Sequence, residues 1–305
     1  MSERLVWLPF DPAELGELPE GLRYEHVDPD SDEVPASIDE VAFVVMHYRF
    51  SQQDGELLAR MPRLEVLQTQ TAGVEHVRPY LPEGVTLCNG RGIHDTSTAE
   101  LALTLTLASL RGVPEFVRAQ GRGTWEPERR ESLADKTVLI VGYGQIGAAI
   151  EERVRAFEAE VVRVARSARD GVHPIDDLPS LLPEADVVIV VVPGTSETVG
   201  LFDAAMLARM RDGALLVNVA RGPVVDTDAL LAELTSGRLR AGLDVTDPEP
   251  LPEGHPLWDA PGLLLTPHVG GASSAMQPRA RKLVREQLER YAAREDLANV
   301  VTGDY

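Results

Sequence analysis

The sequence predicts an α/β protein in which a doubly wound parallel sheet is inserted into a smaller α/β domain. Short apolar strands alternate with helical segments along most of the 305 residues, which is the pattern of parallel sheets covered by helices. A glycine-rich turn at residues 142–147 opens the most regular part of this alternation, and a long amphipathic helix follows the last strand. A chain of this length is long enough for two domains of ordinary size.

The first hundred residues have the pattern of a small parallel domain. Apolar runs predict four strands, at residues 4–8, 42–46, 65–68 and 85–88. A helix is predicted over residues 53–61, because Pro62 ends the helical pattern there. Strands separated by a helix pair in parallel, so we predict a flavodoxin-like α/β domain.

The segment from residue 97 to residue 110 is apolar nearly all round, which predicts a helix buried between layers or domains. From residue 137 onward the chain alternates regularly, with helices predicted at 148–157, 203–210 and 226–234. Six strands are predicted there, at residues 137–141, 161–165, 186–192, 214–218, 241–244 and 263–265. Six strands complete a Rossmann sheet.

The last predicted element is an amphipathic helix over residues 274–293. Because the second sheet is complete before it, we expect this helix to return to the first domain as scaffold. The predicted organisation is therefore a first segment at 1–97, a Rossmann domain at 98–273 and a returning C-terminal segment at 274–305.

Composition and charge exclude several classes of function. The hydrophobic content of 44% and charged content of 26% are typical of globular proteins. A formal net charge of −20 argues against binding to nucleic acid or to anionic membranes. No run is long enough to span a bilayer, and the N-terminus lacks a secretory pattern, so we expect a cytoplasmic location. The single Cys88 excludes an intrachain disulfide and a cysteine-based metal site, and we predict no metal.

The turn at 142–147 has the spacing of a dinucleotide site. Gly142 permits the tight turn, Gly144 lets the pyrophosphate approach the backbone, and Gly147 lets the following helix pack on the strand. The phosphates would lie at the N-terminus of that helix, where N–H groups and the helix dipole favour anions. A purely structural glycine turn is the alternative.

The residues after the second Rossmann strand bear on the choice of cofactor. An NAD site carries an acidic residue about 20 residues after the last glycine, hydrogen-bonded to the ribose. Here Arg166 and Ser167 occupy that place, and these side chains favour a 2′-phosphate. We therefore predict NADP(H). The alternative is that Arg166 only stacks on the adenine while the ribose binds elsewhere, and NAD(H) is the second candidate cofactor.

Polar side chains follow three later strands, at the edge where open α/β sheets bind ligands. Arg221 can bind a carboxylate and its adjacent carbonyl with a planar fork. His268 can donate a proton to the carbonyl oxygen as hydride reaches the carbon. Glu249 can orient the imidazole and raise its pKa. Together these three residue types suit hydride transfer.

Four motifs, at residues 141–147, 217–223, 244–250 and 265–271, resemble those of the D-2-hydroxyacid dehydrogenase family. This family includes glyoxylate, hydroxypyruvate and phosphoglycerate dehydrogenases, and the similarity covers residues 64–271. The resemblance implies that Arg221, Glu249 and His268 are the catalytic residues. It also implies cofactor contacts at Gln145, Ile146, Val192, Pro193, Val219, Ala220, Asp244 and Gly270. The substrate carboxylate would bind the loop formed by Thr71, Ala72, Gly73 and Val74.

Several of these residues have a second interpretation. Asp244 would serve only as a cap at the end of its strand if it does not contact the cofactor. Among the other candidates, His94, Arg91, His47 and Tyr48 either face the substrate or lie in solvated loops. Cys88 is predicted to be a small core residue, and Trp258 to be a packing anchor.

The resemblance implies an NADP(H)-dependent reductase of small 2-oxo acids, with glyoxylate and hydroxypyruvate as the leading substrates. We expect a cleft between two domains and a homodimer formed through the dinucleotide domain and the 97–110 region. One alternative is a nicotinamide-sensing protein similar to the corepressors of this superfamily. Another is a dehydrogenase for phosphite or a different small anion, although formate-oxidising relatives carry glutamine where Glu249 stands.

Overall fold

The computed structural model describes residues 3–31, 33–48 and 51–302, and the chain forms two compact units. The first unit runs to His94 and takes up the chain again from Ser274, and the second runs from Asp95 to Ser273. The predicted first boundary, at residue 97, falls inside the helix that opens the second unit.

The strands are β1 (Arg4–Leu8), β2 (Leu22–His26), β3 (Val41–Val45), β4 (Val66–Gln68), β5 (Thr86–Cys88), β6 (Thr137–Val141), β7 (Glu160–Ala165), β8 (His173–Pro174), β9 (Val187–Val190), β10 (Leu215–Asn218), β11 (Arg240–Leu243) and β12 (Leu263–Leu265). The helices are α1 (Gln52–Leu58), α2 (Asp95–Arg111), α3 (Val113–Gly121), α4 (Gln145–Arg155), α5 (Leu178–Leu181), α6 (Ala204–Leu207), α7 (Thr227–Thr235) and α8 (Met276–Ala293). Short 3₁₀ turns lie between several of them.

The first unit contains a five-stranded parallel sheet in the order β2-β1-β3-β4-β5. Alternate residues of each strand face two different cores. Trp7 and Leu67 face the core that α1 covers, and Val6 and Phe43 face the core that α8 covers. A parallel sheet buried on both faces explains the continuous apolar runs of β1 and β3.

Helix α8 belongs to the first unit and is fastened to its sheet by polar contacts as well as apolar ones. The Gln287 amide donates to the Gln68 side chain at 2.8 Å, and both residues are fully buried. The Tyr291 hydroxyl donates to Glu65 at 2.7 Å. The C-terminal helix therefore packs on the strands that begin the chain.

The second unit contains a seven-stranded parallel sheet in the order β12-β11-β10-β9-β6-β7-β8. This is the doubly wound order, with the switch point between β6 and β9. The predicted α/β class and Rossmann arrangement are confirmed, but the prediction of six strands was wrong. The two-residue β8 adds a seventh strand at the edge, where it pairs only with β7.

Helices α2 and α4 cover one face of the second sheet, and the other face packs against the segments containing α5, α6 and α7. Gly242 in β11 allows α2 to come close, because a Cβ built there would lie 3.0 Å from the Cβ of Leu105. The predicted buried helix thus lies against β10 and β11. No helix in the described part of the chain is long and apolar enough to cross a membrane.

Candidate functional site

The glycine turn between β6 and α4 is built as its spacing predicts. Gly142 has φ 107°, in the left-handed region that favours glycine. A Cβ on Gly147 would lie 2.4 Å from the carbonyl oxygen of Gly142, so α4 can begin this close to β6 only with glycine there. A Cβ on Gly144 would meet no atom within 4 Å, which leaves open space over the turn.

Helix α4 begins at this turn and directs its first N–H groups toward the open space. Gly144 is the N-cap and has no side chain that could accept hydrogen bonds from the N–H groups that follow. Gln145 and Ile146 form the first positions of the helix. Helix α4 has 11 residues, and its N-terminus has no side-chain cap. Its free N–H groups are therefore suited to binding an anion.

A cavity of about 310 Å³ lies beside the turn, at the switch point of the sheet. Arg166, Ser167, Val192 and Pro193 line it, as do Gly142 and Gly144. All six of these residues were predicted cofactor contacts. The lining also includes residues that sequence reasoning did not select, namely Tyr143, Arg169, Glu197 and Thr198.

Charged groups at this cavity already interact with one another. The Nε atom of Arg166 lies 3.4 Å from Oε2 of Glu197, and both side chains are well exposed. Arg169 donates a hydrogen bond to the backbone carbonyl of Tyr143, and its guanidinium carbon lies 5.7 Å from the centre of the Tyr143 ring. The cavity therefore has two guanidinium groups and one carboxylate at its rim.

His268 and Glu249 form a direct pair at the end of the sheet that carries β11 and β12. The Nδ1 atom of His268 lies 2.5 Å from Oε1 of Glu249. The pKa of His268 is raised, chiefly by this hydrogen bond and by the charge of Glu249. The pKa of Glu249 is lowered for the same reason. The imidazole is thus held in one orientation and kept protonated to higher pH than usual.

Asp244 holds the loop that carries His268. Its carboxylate is 2% exposed and accepts hydrogen bonds from the Thr266 hydroxyl at 2.6 Å, the Val269 N–H at 2.9 Å and the Gly270 N–H at 2.8 Å. His268 itself has φ 53°, a left-handed conformation that is strained for a residue other than glycine. Such strain persists only where the surroundings fix it, and Asp244 supplies the fixing contacts. Its predicted cofactor contact stays a prediction.

Arg221 follows β10 on a loop that Asn218 fixes. The Asn218 side chain is buried, donates to the carbonyl of Arg221 at 2.9 Å and accepts from the Ala220 N–H at 3.0 Å. Val219 and Ala220 are buried between them. The positive charge of Arg221 lowers the pKa of both His268 and Glu249, so at His268 it opposes the larger effect of Glu249. The three predicted catalytic residues therefore form one electrostatic cluster.

A larger cavity of about 540 Å³ opens beside this cluster. Its walls include His268, Glu249 and the apolar side chains of Leu251, Leu265 and Trp258. The Trp258 ring is 54% exposed, and its Nε1 donates to the carbonyl of Pro252 at 2.9 Å. Trp258 therefore lines this cavity, and it is more exposed than the packing anchor predicted from the sequence would be.

The predicted carboxylate-binding loop in the first unit follows β4. The Thr71 hydroxyl donates to the Gly73 carbonyl at 2.8 Å, and Asn89 donates from its side chain to the Ala72 carbonyl at 3.0 Å. Val74 is fully buried and anchors the end of the loop. These contacts fix the loop's carbonyl groups within the first unit.

The remaining candidates take ordinary structural positions. His47 pairs with Asp54 at 3.0 Å, and the ring of Tyr48 stacks at a tilt on that of His94. The side chain of Arg91 contacts Asn299. Cys88 is buried in the core, and burial raises the pKa of its thiol to about 11. Among the described residues, no group of three or more His, Cys, Asp or Glu side chains is arranged to hold a metal ion.

The fold and this site define a dinucleotide-binding α/β protein with an arginine, a carboxylate and a histidine at the cofactor edge. Residues 103–270 match the model described as D-isomer specific 2-hydroxyacid dehydrogenase, NAD binding domain. The chain belongs to the D-isomer specific 2-hydroxyacid dehydrogenase family.

The relatives of this chain are named for different substrates. The D-3-phosphoglycerate dehydrogenase of Mycobacterium tuberculosis is 34% identical over 310 aligned positions, which cover 96% of this chain and 58% of the relative. The chain thus spans less than two thirds of that relative's length. The glyoxylate reductase of Thermofilum pendens is 32% identical, with 77% of this chain and 74% of the relative covered.

A solved structure agrees over nearly the whole chain. It is a D-isomer specific 2-hydroxyacid dehydrogenase from Xanthobacter autotrophicus Py2 in complex with NADPH and MES. The TM-score is 0.82 at 30% identity, and the match covers 99% of this chain and 98% of the other.

Proposed function

We propose that this protein reduces a small 2-oxo acid to the D-2-hydroxy acid with NADPH. The observation that carries the proposal is the 2.5 Å pair between His268 and Glu249, which raises the pKa of His268 against the opposing charge of Arg221. A histidine held protonated beside an arginine is the arrangement needed to bind a carboxylate and protonate the neighbouring carbonyl.

The glycine turn and the cavity beside it fit a dinucleotide. Gly144 leaves open space above the start of α4, where N–H groups can bind the pyrophosphate. Val192 and Pro193 form the apolar part of the cavity wall, as an adenosine requires. Val219, Ala220 and Gly270 lie at the ends of the strands toward the catalytic cluster and are our proposed nicotinamide contacts.

The proposed reaction uses the chain's own groups for binding and for the proton. When bound, NADPH supplies the hydride that adds to the carbonyl carbon. Arg221 binds the carboxylate of the acid and polarises the adjacent carbonyl oxygen. His268 transfers its proton to that oxygen as the C=O double bond becomes a single bond, and solvent then reprotonates the imidazole. Glu249 stabilises the charged imidazole throughout.

Three groups at the cavity favour NADP(H) over NAD(H). Arg166 and Ser167 stand where an NAD site carries an acid, and Arg169 adds a second guanidinium. Guanidinium groups bind phosphate with two parallel hydrogen bonds. The relative from Xanthobacter has NADPH bound, which agrees with this choice.

Glyoxylate and hydroxypyruvate are our proposed substrates. The support is the name of the Thermofilum relative and that of an NADPH-dependent glyoxylate/hydroxypyruvate reductase from Sinorhizobium meliloti with a similar structure. We propose that the loop formed by Thr71, Ala72, Gly73 and Val74 contributes to binding the carboxylate.

We also propose that a second copy of this chain covers α3 and the segment after it. Trp125 is 94% exposed, and Val113, Phe116 and Val117 are exposed on α3 itself. Large exposed apolar patches mark interaction surfaces. The occupant we infer is the same surface on a second chain, related by a twofold axis.

The test is substitution of the two groups that the chemistry needs most. Arg221→Ala and His268→Ala should each lower kcat for glyoxylate reduction by at least about a hundredfold, the usual contribution of a general acid. Binding of NADPH, followed by its fluorescence, should persist. The matched controls are Arg209→Ala and His26→Ala at exposed positions, which should keep full activity. Near-normal turnover in either test variant would overturn the assignment.

A further inference from the structure

Tyr143, the second residue of the glycine turn, is held on several sides. Its hydroxyl donates a hydrogen bond to Glu151, and its backbone carbonyl accepts one from Arg169. The guanidinium carbons of Arg163 and Arg169 lie 5.4 and 5.7 Å from the centre of its ring. Cation–π contacts at these distances are favourable. A residue that lines the cofactor cavity is therefore fixed by contacts from outside the turn.

Glu151, on the second turn of α4, is the centre of this arrangement. It is 5% exposed, and each of its carboxylate oxygens accepts two hydrogen bonds. Oε1 accepts from Arg155 at 2.6 Å and from Arg163 at 2.5 Å. Oε2 accepts from Arg163 at 2.7 Å and from the Tyr143 hydroxyl. The carboxylate is fully satisfied, and these bonds lower its pKa to about 2.

The charges around Glu151 divide into two groups. Arg155 and Arg163 both donate hydrogen bonds to the Glu151 carboxylate, and neither of them lines the cavity. Arg169 lines the cavity and contacts both the carbonyl and the ring of Tyr143. Tyr143 therefore stands between a buried carboxylate on one side and a guanidinium at the cavity on the other.

We propose that Glu151 is a positioning residue for recognition of the cofactor's 2′-phosphate. By holding the Tyr143 side chain, it fixes the ring and carbonyl that hold Arg169 at the cavity beside Arg166 and Ser167. The link runs from Glu151 to Tyr143 and from Tyr143 to Arg169. This inference rests on the proposed function in one respect, namely that the cofactor is NADP(H).

The inference predicts an effect that distinguishes the two nicotinamide cofactors. Glu151→Gln removes the charge that holds Arg163 and weakens the bond to Tyr143, so Arg169 loses its fixed position. The Kd for NADPH should rise about tenfold, the equivalent of one charge-assisted hydrogen bond, while the Kd for NADH should change by less than about twofold. A role in folding alone would weaken the binding of both cofactors equally.

Two further variants test each step of the link. Tyr143→Phe removes the hydroxyl alone and leaves Glu151 paired with both arginines, so it should raise the Kd for NADPH by about threefold. It also tests the link if Glu151→Gln fails to fold. Arg169→Gln should remove most of the preference for NADPH, and adding Glu151→Gln to it should cost nothing more, since coupled residues are not additive.

The experiment is a titration of each purified variant with NADPH and with NADH, followed by nucleotide fluorescence without any substrate. Glu152→Gln is the matched control, because Glu152 is the exposed neighbour on the same helix, and it should bind both cofactors as the unaltered protein does. Equal weakening of both cofactors, no change in either, or additive effects with Arg169→Gln would each overturn the inference. The unaltered protein is titrated before any variant is made. If it prefers NADH, the proposed cofactor is wrong, and this result is distinct from a failure of the Glu151 variants.

Discussion

Glu249 has the largest effect on the protonation of His268, while the charge of Asp244 also raises its pKa and that of Arg221 lowers it. Glu249 raises the pKa of His268, so the imidazole keeps its proton to higher pH than an isolated histidine would. Reduction needs that proton, and oxidation needs the neutral imidazole. The raised pKa of His268 therefore shifts both pH profiles upward: in the unaltered protein reduction should persist toward higher pH, and oxidation should require higher pH.

Glu249→Gln should shift both profiles in the same direction. Without the carboxylate charge the pKa of His268 falls, so reductive turnover should decline at lower pH, and oxidative turnover should appear at lower pH. The measurement is kcat against pH in both directions, with Glu253→Gln, on the same loop, as the control. Unshifted profiles would show that Glu249 does not set the state of His268.

Glu197 faces Arg166 across the rim of the 310 Å³ cavity and competes for the guanidinium that the 2′-phosphate would use. Glu197→Gln should therefore tighten NADPH binding by about two- to fivefold, the range expected for an exposed ion pair. The check is the Kd for NADPH from fluorescence titration, compared with Glu184→Gln at an exposed site elsewhere. Weaker NADPH binding in the Glu197 variant would mean that this carboxylate assists the nucleotide.

Some residues of the site could be identified from sequence motifs, and others could not. Arg221, Glu249 and His268 stand in motifs that follow β10, β11 and β12, so the sequence could place them at one sheet edge. Glu151 could not, since it occupies an ordinary helical position and gains its partners only when α4 packs beside β7 and the turn. Arg169, three residues after Arg166, offered a local signal that the sequence reasoning did not use.

The turn between β6 and α4 allows packing and ligand binding to be separated by two substitutions. Gly147→Ala places a methyl group 2.4 Å from the Gly142 carbonyl oxygen and should destabilise the protein by ~1–3 kcal/mol, as overpacking does. Gly144→Ala meets no atom and has φ −96°, so the melting temperature should stay unchanged.

Nucleotide binding should nevertheless be weakened in Gly144→Ala, because the added methyl group enters the space proposed for the pyrophosphate. The measurements are thermal melts and NADPH titrations of each variant. Unweakened NADPH binding by a folded Gly144→Ala protein would contradict the placement of the pyrophosphate at this turn.

Elements with continuous apolar runs were predicted well, and the strands that were missed lie at sheet edges. Strand β2 pairs only with β1 and carries polar side chains at Arg23 and Glu25, so it has no apolar run to reveal it. Strand β8 has two residues, one of them a proline, which edge strands tolerate. Helix α3 follows α2 across Gly112, whose φ of 64° breaks a helical pattern that otherwise continues.

At the scale of the whole molecule, assembly is the property most open to a direct test. If a second copy covers Trp125 and α3, Trp125→Ala should weaken the dimer, since burial of a tryptophan is a large part of many interfaces. Light scattering across a dilution series should show dissociation at higher protein concentration in this variant than in the unaltered protein. Trp258→Ala, at the other exposed tryptophan, is the control. A monomer at all concentrations before any substitution would contradict the proposed dimer.

We propose that Arg221, Glu249 and His268 serve hydride transfer between NADP(H) and a small 2-oxo acid. The most informative measurement is the initial rate of NADPH and NADH oxidation, recorded by the absorbance of the reduced nicotinamide, against glyoxylate, hydroxypyruvate and larger 2-oxo acids. We expect turnover with at least one small 2-oxo acid, faster with NADPH than with NADH, and loss of that turnover in His268→Ala. Nucleotide binding without turnover on any of these acids would contradict this proposal and would favour a nicotinamide-sensing protein.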